Sequence, residues 1–311
     1  MNIENIKTFV QSAIGRSARH HPKFAVRGMN FVYHAAANGL EFENRSGLDI
    51  LSEEWDNLVI LDACRYDMFA EQSELPGRLE SRISKGSSTT EFLKANFAGE
   101  DLLDTVYVTA NPQYHNNRNR IGAEFHSVEN VWLNDGWDTE SGTVLPETVT
   151  EAAMKAYEEY PKKKLVIHYI QPHFPFINSQ IGKNSLEHDK GELNIWEKLL
   201  SGELSYPPGC IWKAYKENLS TALPHVETLL QELNGRTVVT SDHGNMINER
   251  ASPFPINEWG HPRGIYVEPL VKVPWLVREA GEQRTIVKEN SAFKEDELEA
   301  TEERLEQLGY K

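Results

Sequence analysis

Asn57-Leu58-Val59-Ile60-Leu61-Asp62 is the stretch that decides the fold. Four consecutive apolar residues between polar ones make a short strand buried on both faces, the pattern of a parallel sheet. The strand runs out into a carboxylate, Asp62. Working outward, residues 105–110 (Thr-Val-Tyr-Val-Thr-Ala), 164–170 (Lys-Leu-Val-Ile-His-Tyr-Ile), 236–241 (Arg-Thr-Val-Val-Thr-Ser) and 271–277 read as four further strands. Residues 147–160 place Val149, Ala152, Ala153 and Ala156 on one helical side. Residues 211–233 read as a helix with a bend expected near Pro224, because proline removes a helical donor. Residues 295–308 read as an amphipathic helix carried by Leu298, Leu305 and Leu308. Strands alternating with helices predict an α/β domain with a mostly parallel sheet flanked by helices. Such sheets bind ligands at the carboxyl ends of their strands.

Composition narrows the class. The 311 residues are 39% hydrophobic and 25% charged, as in globular proteins, and suffice for one large domain or two small ones. No apolar run approaches the roughly 18 residues of a spanning helix. The first residues lack the apolar core of a secretory signal, and Cys64 and Cys210 make no disulfide framework. These features predict a cytoplasmic chain. Thirty-two basic against 47 acidic residues give a net charge of −15, a surface that repels nucleic acid.

Residues 1–46 differ, with six Lys or Arg against three Glu. Ile3, Ile6, Phe9, Val10, Ala13 and Ile14 recur at helical spacing ahead of Arg16, Arg19, Lys23 and Arg27. Residues 1–56 are therefore expected to be a helical, basic extension. It either packs on the domain or touches an anionic membrane surface peripherally through residues 1–46. The catalytic domain is expected over 57–311, with a polar insertion at 178–210. The aromatics Trp196, Tyr206 and Trp212 there stack on a sugar or pack on their own domain.

No phosphate loop, dinucleotide fingerprint, nucleophile elbow or paired-His zinc helix is present. Polar residues instead follow the strands: Asp62 in Asp62-Ala-Cys-Arg-Tyr-Asp67, Asp242 and His243 in Thr240-Ser-Asp-His-Gly244, His168 and His173 in His168-Tyr-Ile-Gln-Pro-His-Phe-Pro-Phe176, and His261 in Trp259-Gly-His-Pro-Arg263. Carboxylates and imidazoles gathered at one sheet edge suit a divalent cation. Each fragment also has an ordinary reading, since an Asp after a strand commonly caps a helix and a lone His is commonly a bonded core residue.

Taken in order, these segments resemble the sulfatase-like branch of the alkaline phosphatase superfamily. The resemblance covers about residues 57–310. It is carried by Asp62-Ala-Cys-Arg-Tyr-Asp67, by the hydroxyl cluster Gly86-Ser-Ser-Thr-Thr-Glu-Phe92, by residues 168–175, by Thr240 to Gly244, by Gly260-His261 and Val273-Pro274, and by Arg304 to Tyr310. It implies a three-layer sandwich and an enzyme. Asp62, Asp242 and His243 are implied as metal ligands. Thr89 is implied as the nucleophile, with its oxygen also reaching the metal; Ser87 and Ser88 remain alternative nucleophiles, and the stretch could instead be a helix cap backed by Glu91.

The resemblance also implies that His173 and His261 face the substrate, one holding its oxygens and the other protonating the leaving group. Arg65 holds a substrate anion or pins the Asp62 loop, Arg263 is a possible substrate clamp, His168 is structural and Asp67 orders its loop. The implied cofactor is one divalent ion (Mn, Ca, Mg or Zn), with a second left open by His173 and His261. The implied substrate is a small, sugar-linked or lipid-linked anionic ester.

Three departures shape the expectation. The Cys/Ser-x-Pro-x-Arg motif of formylglycine sulfatases is missing, so phosphoric esters are favoured over sulfuric ones. Ala63 stands where many members have a second acidic residue. Gln171 stands where two-metal phosphodiesterases have Asp, which favours one cation. The expected activity is metal-dependent hydrolysis or transfer of a phosphoric ester through a covalent threonine. Sulfate ester hydrolysis and a non-catalytic scaffold of the same fold are the alternatives.

Overall fold

The computed structural model describes residues 11, 21–39, 43–133, 136–182 and 193–289. Apart from Gln11, the amphipathic segment at 3–14 lies outside them, as do residues 183–192 of the expected insertion and the expected terminal helix at 295–308.

In chain order the elements are α1 (Lys23–Ala37), β1 (Asn57–Leu61), α2 (Tyr66–Gln72), β2 (Arg78–Ile83), α3 (Thr89–Phe97), β3 (Asp101–Thr109), α4 (Gln113–Ile121) and β4 (Glu124–Asn130). A small ribbon follows, β5 (Trp137–Asp138) with β6 (Thr143–Val144), then α5 (Pro146–Glu159) and β7 (Lys164–Tyr169). The chain continues through α6 (Ile195–Ser201), α7 (Pro208–Glu232), β8 (Gly235–Thr240), the hairpin β9 (Met246–Arg250) and β10 (Asn257–Gly260), α8 (Glu268–Val271) and β11 (Lys272–Ala280).

Seven strands form one sheet in the order β2-β11-β8-β1-β7-β3-β4. It is parallel except for β11, which runs antiparallel to both its neighbours. The apolar strand that opened the sequence reading is the central one, and all five of its residues are buried. Alternation sends its side chains to opposite layers. Val59 and Leu61 join Val106, Val108, Leu165 and Ile167 in a core closed by Met68 and Phe69 of α2, Val149 and Ala153 of α5, and Leu219 and Leu230 of α7. Leu58 and Ile60 join Tyr107, Val166 and Val238 under Phe92, Leu93 and Phe97 of α3 and Tyr114 of α4. Helix, sheet and helix make the expected three layers.

The five strands expected from sequence are present, β11 reaching Ala280 and reversed in direction. Two edge strands escaped the apolar pattern. β2 (Arg-Leu-Glu-Ser-Arg-Ile) is only partly buried, and β4 carries Glu124 and Glu129. Charges on sheet edges discourage pairing with other chains, and they also hide the strand from a hydrophobic scan.

Helix α1 docks on the β9–β10 hairpin. Arg27 binds Glu258 through both carboxylate oxygens (2.9 and 2.5 Å), and Asn30 exchanges two 2.8 Å hydrogen bonds with the Phe254 backbone. Phe31 packs where Gly264, in left-handed backbone (φ +71°), leaves no room for a Cβ.

Candidate active site

The strand register brings the polar residues to one edge. Ile60 at the centre of the sheet is paired with His168 on β7 and Thr240 on β8. Asp62 and Asp242 each lie two residues further on. Thr109 of β3 is also level with His168, and Asn111 lies two residues beyond it. Asn111 Nδ2 donates to Asp62 Oδ2 at 2.5 Å. The turn after β1 places Ala63 at φ 60°, a left-handed backbone uncommon for a residue with a Cβ. That conformation aims the Ala63 amide at Asp242 Oδ1 (3.0 Å), which also accepts from the His243 amide (2.9 Å). Ser241 Oγ accepts from the Cys64 amide (2.8 Å) and donates to the His243 carbonyl (2.6 Å), so the turns after β1 and β8 are sewn together.

His243 Nδ1 meets the Gly244 carbonyl at 3.0 Å. A carbonyl only accepts, so Nδ1 carries the hydrogen and Nε2 presents a lone pair. That Nε2 lies 3.3 Å from Asp242 Oδ2, 3.7 Å from Asp62 Oδ1 and 3.3 Å from Thr89 Oγ1. Thr89 opens α3, and the loop before it is tied to the same turn by Ser84, whose hydroxyl donates to the Asp242 carbonyl. The other two hydroxyls of the cluster have different partners. Ser87 gives its amide (3.0 Å) and hydroxyl (2.8 Å) to Glu91 Oε2, and Ser88 Oγ lies 3.4 Å from Thr90 Oγ1. Glu91 is fully buried, and burial raises its pKa against the opposing pull of Arg263 and Ser87.

All of Asp62, Asp242, His243, Thr89 and His173 are buried. Burial pushes Asp242 up, but the His243 and His168 imidazoles and the Ala63 amide outweigh it and hold the carboxyl below its ordinary value. Asp242 Oδ2 and His168 Nε2 are buried without a hydrogen-bond partner, and one ligand atom each from Asp62, His168 and Asp242 lie within 4.8 Å of one another. Carboxylate oxygens and an imidazole nitrogen gathered this closely in a buried place fit a divalent cation. Cys64 lies beside this cluster, but burial raises its thiol well above the ordinary value, so it remains protonated.

His173 and His261 form the outer side of the site. Their Nε2 atoms are 2.9 Å apart, and the His261 ring stacks on His243 at 4.5 Å. The His173 amide donates to the Asp62 carbonyl (3.1 Å), and Asn218 of α7 donates to the carbonyls of Pro172, His173 and Pro175. Gly260, with φ +72°, lies so close to Trp196 that a Cβ would stand 2.4 Å from its ring, so this aromatic of the expected insertion buttresses the His261 loop.

The arginines have acidic partners of their own. Arg65 is bound by Asp67 and Glu249, donates to the Asn245 carbonyl and lies over the Trp212 ring at 4.8 Å. Despite its burial, the hydrogen bonds to Asp67 and Glu249 keep its guanidinium charged. Arg263 is 49% exposed, 3.6 Å from Glu91. Sequence reasoning passed over Asn111 and Asn218. Neither belongs to a charged or imidazole pattern, and Asn111 is marked only by its place just past a strand end.

The fold is similar to that of several solved structures. The integral membrane lipooligosaccharide phosphoethanolamine transferase A of Neisseria meningitidis is 13% identical, matched over 71% of this chain and 47% of its own, with a TM-score of 0.44. This chain thus spans about half the length of that protein. The C-terminal periplasmic domain of EcEptC from Escherichia coli, in complex with Zn, is 15% identical over 75% of each chain, TM-score 0.44. The phosphonate monoester hydrolase of Silicibacter pomeroyi is 13% identical over 81% of this chain and 72% of its own, TM-score 0.43. No protein-family model matches the chain, and no curated protein matches it. No helix among the described residues is long and apolar enough to cross a membrane.

Proposed function

We propose that the chain is a metal-dependent hydrolase or transferase of phosphoric esters that works through a covalent phosphothreonine at Thr89. The observation that carries this reading is the meeting of the Thr89 hydroxyl with His243 Nε2 at 3.3 Å, beside two buried carboxylates. Asp62, Asp242, His243 and Thr89 would hold one divalent ion (Mn, Ca, Mg or Zn). Bound there, a dication lowers the pKa of a hydroxyl and draws charge from an ester oxygen.

The chain's own residues account for the rest. Thr89 sits at the first turn of α3, where free backbone amides favour an anionic group in front of it. Its Oγ, the proton given up to solvent, forms a bond to phosphorus as the bond to the leaving oxygen breaks. The leaving oxygen takes its proton from the His173–His261 pair. His173 Nδ1 is held by the Phe174 carbonyl, so its Nε2 accepts and the His261 Nε2–H donates. Burial lowers His173 to about 4 and His261 well below its ordinary value, and an anionic ester beside them favours the charged imidazolium that donates. In the second half-reaction, water or an alcohol gives a proton back to the pair and attacks phosphorus, and the bond to Thr89 Oγ breaks. The same residues serve hydrolysis and transfer, with the entering oxygen making the difference.

Turnover of aryl phosphate monoesters, phosphodiesters and sulfate esters by wild type and Thr89→Ala, with Mn, Mg, Ca or Zn supplied in turn, tests the reading. Metal-dependent cleavage of a phosphoric ester that disappears in the variant supports it. Preferred cleavage of sulfate, or turnover unaffected by the variant, contradicts it.

A further inference from the structure

We infer that His168 is a further ligand of the cation, held at its other ring nitrogen by the Tyr107 hydroxyl. The inference rests on the reading of the site as a cation centre and deepens it.

His168 is fully buried on β7 between β1 and β3, a place where a bonded apolar residue is ordinary and an imidazole is costly. Its Nε2 has no hydrogen-bond partner, and one of its ring nitrogens lies within 4.8 Å of a carboxylate oxygen of both Asp62 and Asp242. Its other nitrogen, Nδ1, is 2.7 Å from the Tyr107 hydroxyl. A phenol oxygen can accept from His168 Nδ1–H, and Nε2 then keeps a lone pair. An imidazole lone pair buried close to two carboxylates is repelled by them unless a cation lies between.

The same segment holds a second group of the cluster. Asn111, two residues past the end of β3, holds Asp62 Oδ2 with its side chain, and Tyr107 within β3 holds His168, the usual way outer partners tune a metal ligand.

The test is binding of Co(II) alone to the full chain, read by its visible absorption and by competition with a chelator, for wild type, H168Q, Y107F and D242N. Tyr107→Phe removes one oxygen and leaves the packing intact, so it keeps the test informative if His168→Gln folds poorly. Wild type is expected to bind Co(II) with an absorption band that shifts in H168Q. Affinity is expected to fall about tenfold or more in H168Q and in Y107F, the range found when supporting partners of ligands are removed. Unchanged affinity and spectrum in H168Q, with binding lost in D242N, would overturn the assignment of His168 while leaving the cation centre standing. Wild type that binds no Co(II) would overturn the cation centre and this inference with it.

Discussion

The imidazoles of His173 and His261 meet edge to edge, Nε2 to Nε2 at 2.9 Å, although they come from segments 88 residues apart. His173 is anchored to the Asp62 turn and to Asn218, and His261 rides on the hairpin that α1 covers. If this pair supplies the leaving-group proton, its loss matters in proportion to how badly the leaving oxygen needs one. His261→Asn is expected to slow cleavage of alkyl phosphate esters at least about a hundredfold, the scale of general acid catalysis, and nitrophenyl esters much less. Equal losses on both substrate types would show that His261 holds the substrate without protonating it.

The Arg27–Glu258 pair joins α1 to that hairpin. The Glu258 side chain is 0% exposed and that of Arg27 is 13% exposed. Breaking such a pair from one side strands a buried charge. Arg27→Ala is expected to cost about 3 kcal/mol in urea unfolding, and the Arg27→Ala, Glu258→Ala double variant distinctly less than the sum of the two single changes. Additive losses would mean that the two residues act independently.

Occupancy of the site should stabilise the fold. Raising Mn or Zn to a hundred times its dissociation constant adds about 2.7 kcal/mol to unfolding by mass action, and chelation removes it. Asp242→Asn should abolish this response in thermal melts. A response that persists in Asp242→Asn would place the cation elsewhere.

The buried histidines give the metal-free chain an acid limit. Burial lowers both His168 and His173 to about 4, below their ordinary 6.5. The unfolded chain therefore binds protons that the folded chain refuses between these values. The sign follows: the stability these neutral imidazoles permit is present above pH about 6.5 and is lost as pH falls toward about 4. Urea midpoints of chelator-treated protein should fall between pH 7 and pH 5, with part of the fall removed by His168→Gln. A flat profile over that interval would contradict the buried neutral state.

Much of this was legible in the residues. The apolar run before Asp62 announced a central buried strand, and the register of its neighbours carried Asp242 to the same edge. His168 reads as structural because a histidine inside a strand faces a core; that it also comes close to Asp62 and Asp242 follows only from the strand pairing, which sets it level with Ile60. Sequence alone treats Ser87, Ser88 and Thr89 alike; that Ser87 is held by Glu91 while Thr89 meets His243 depends on contacts formed only in the fold. The edge strands β2 and β4 were hidden by their charges. Asn111 and Asn218 act through single hydrogen-bonding groups whose partners are distant in the chain.

The most direct measurement of the central claim is the site of covalent phosphorylation. Wild type, Thr89→Ala and Ser87→Ala would each be mixed with an aryl phosphate ester and Mn, quenched in acid within one turnover, digested and mapped by mass spectrometry. The account predicts a phosphoryl group on Thr89 in wild type and in Ser87→Ala, and none in Thr89→Ala. A phosphoryl group on Ser87 or Ser88, or steady turnover in Thr89→Ala without any modified residue, would contradict it.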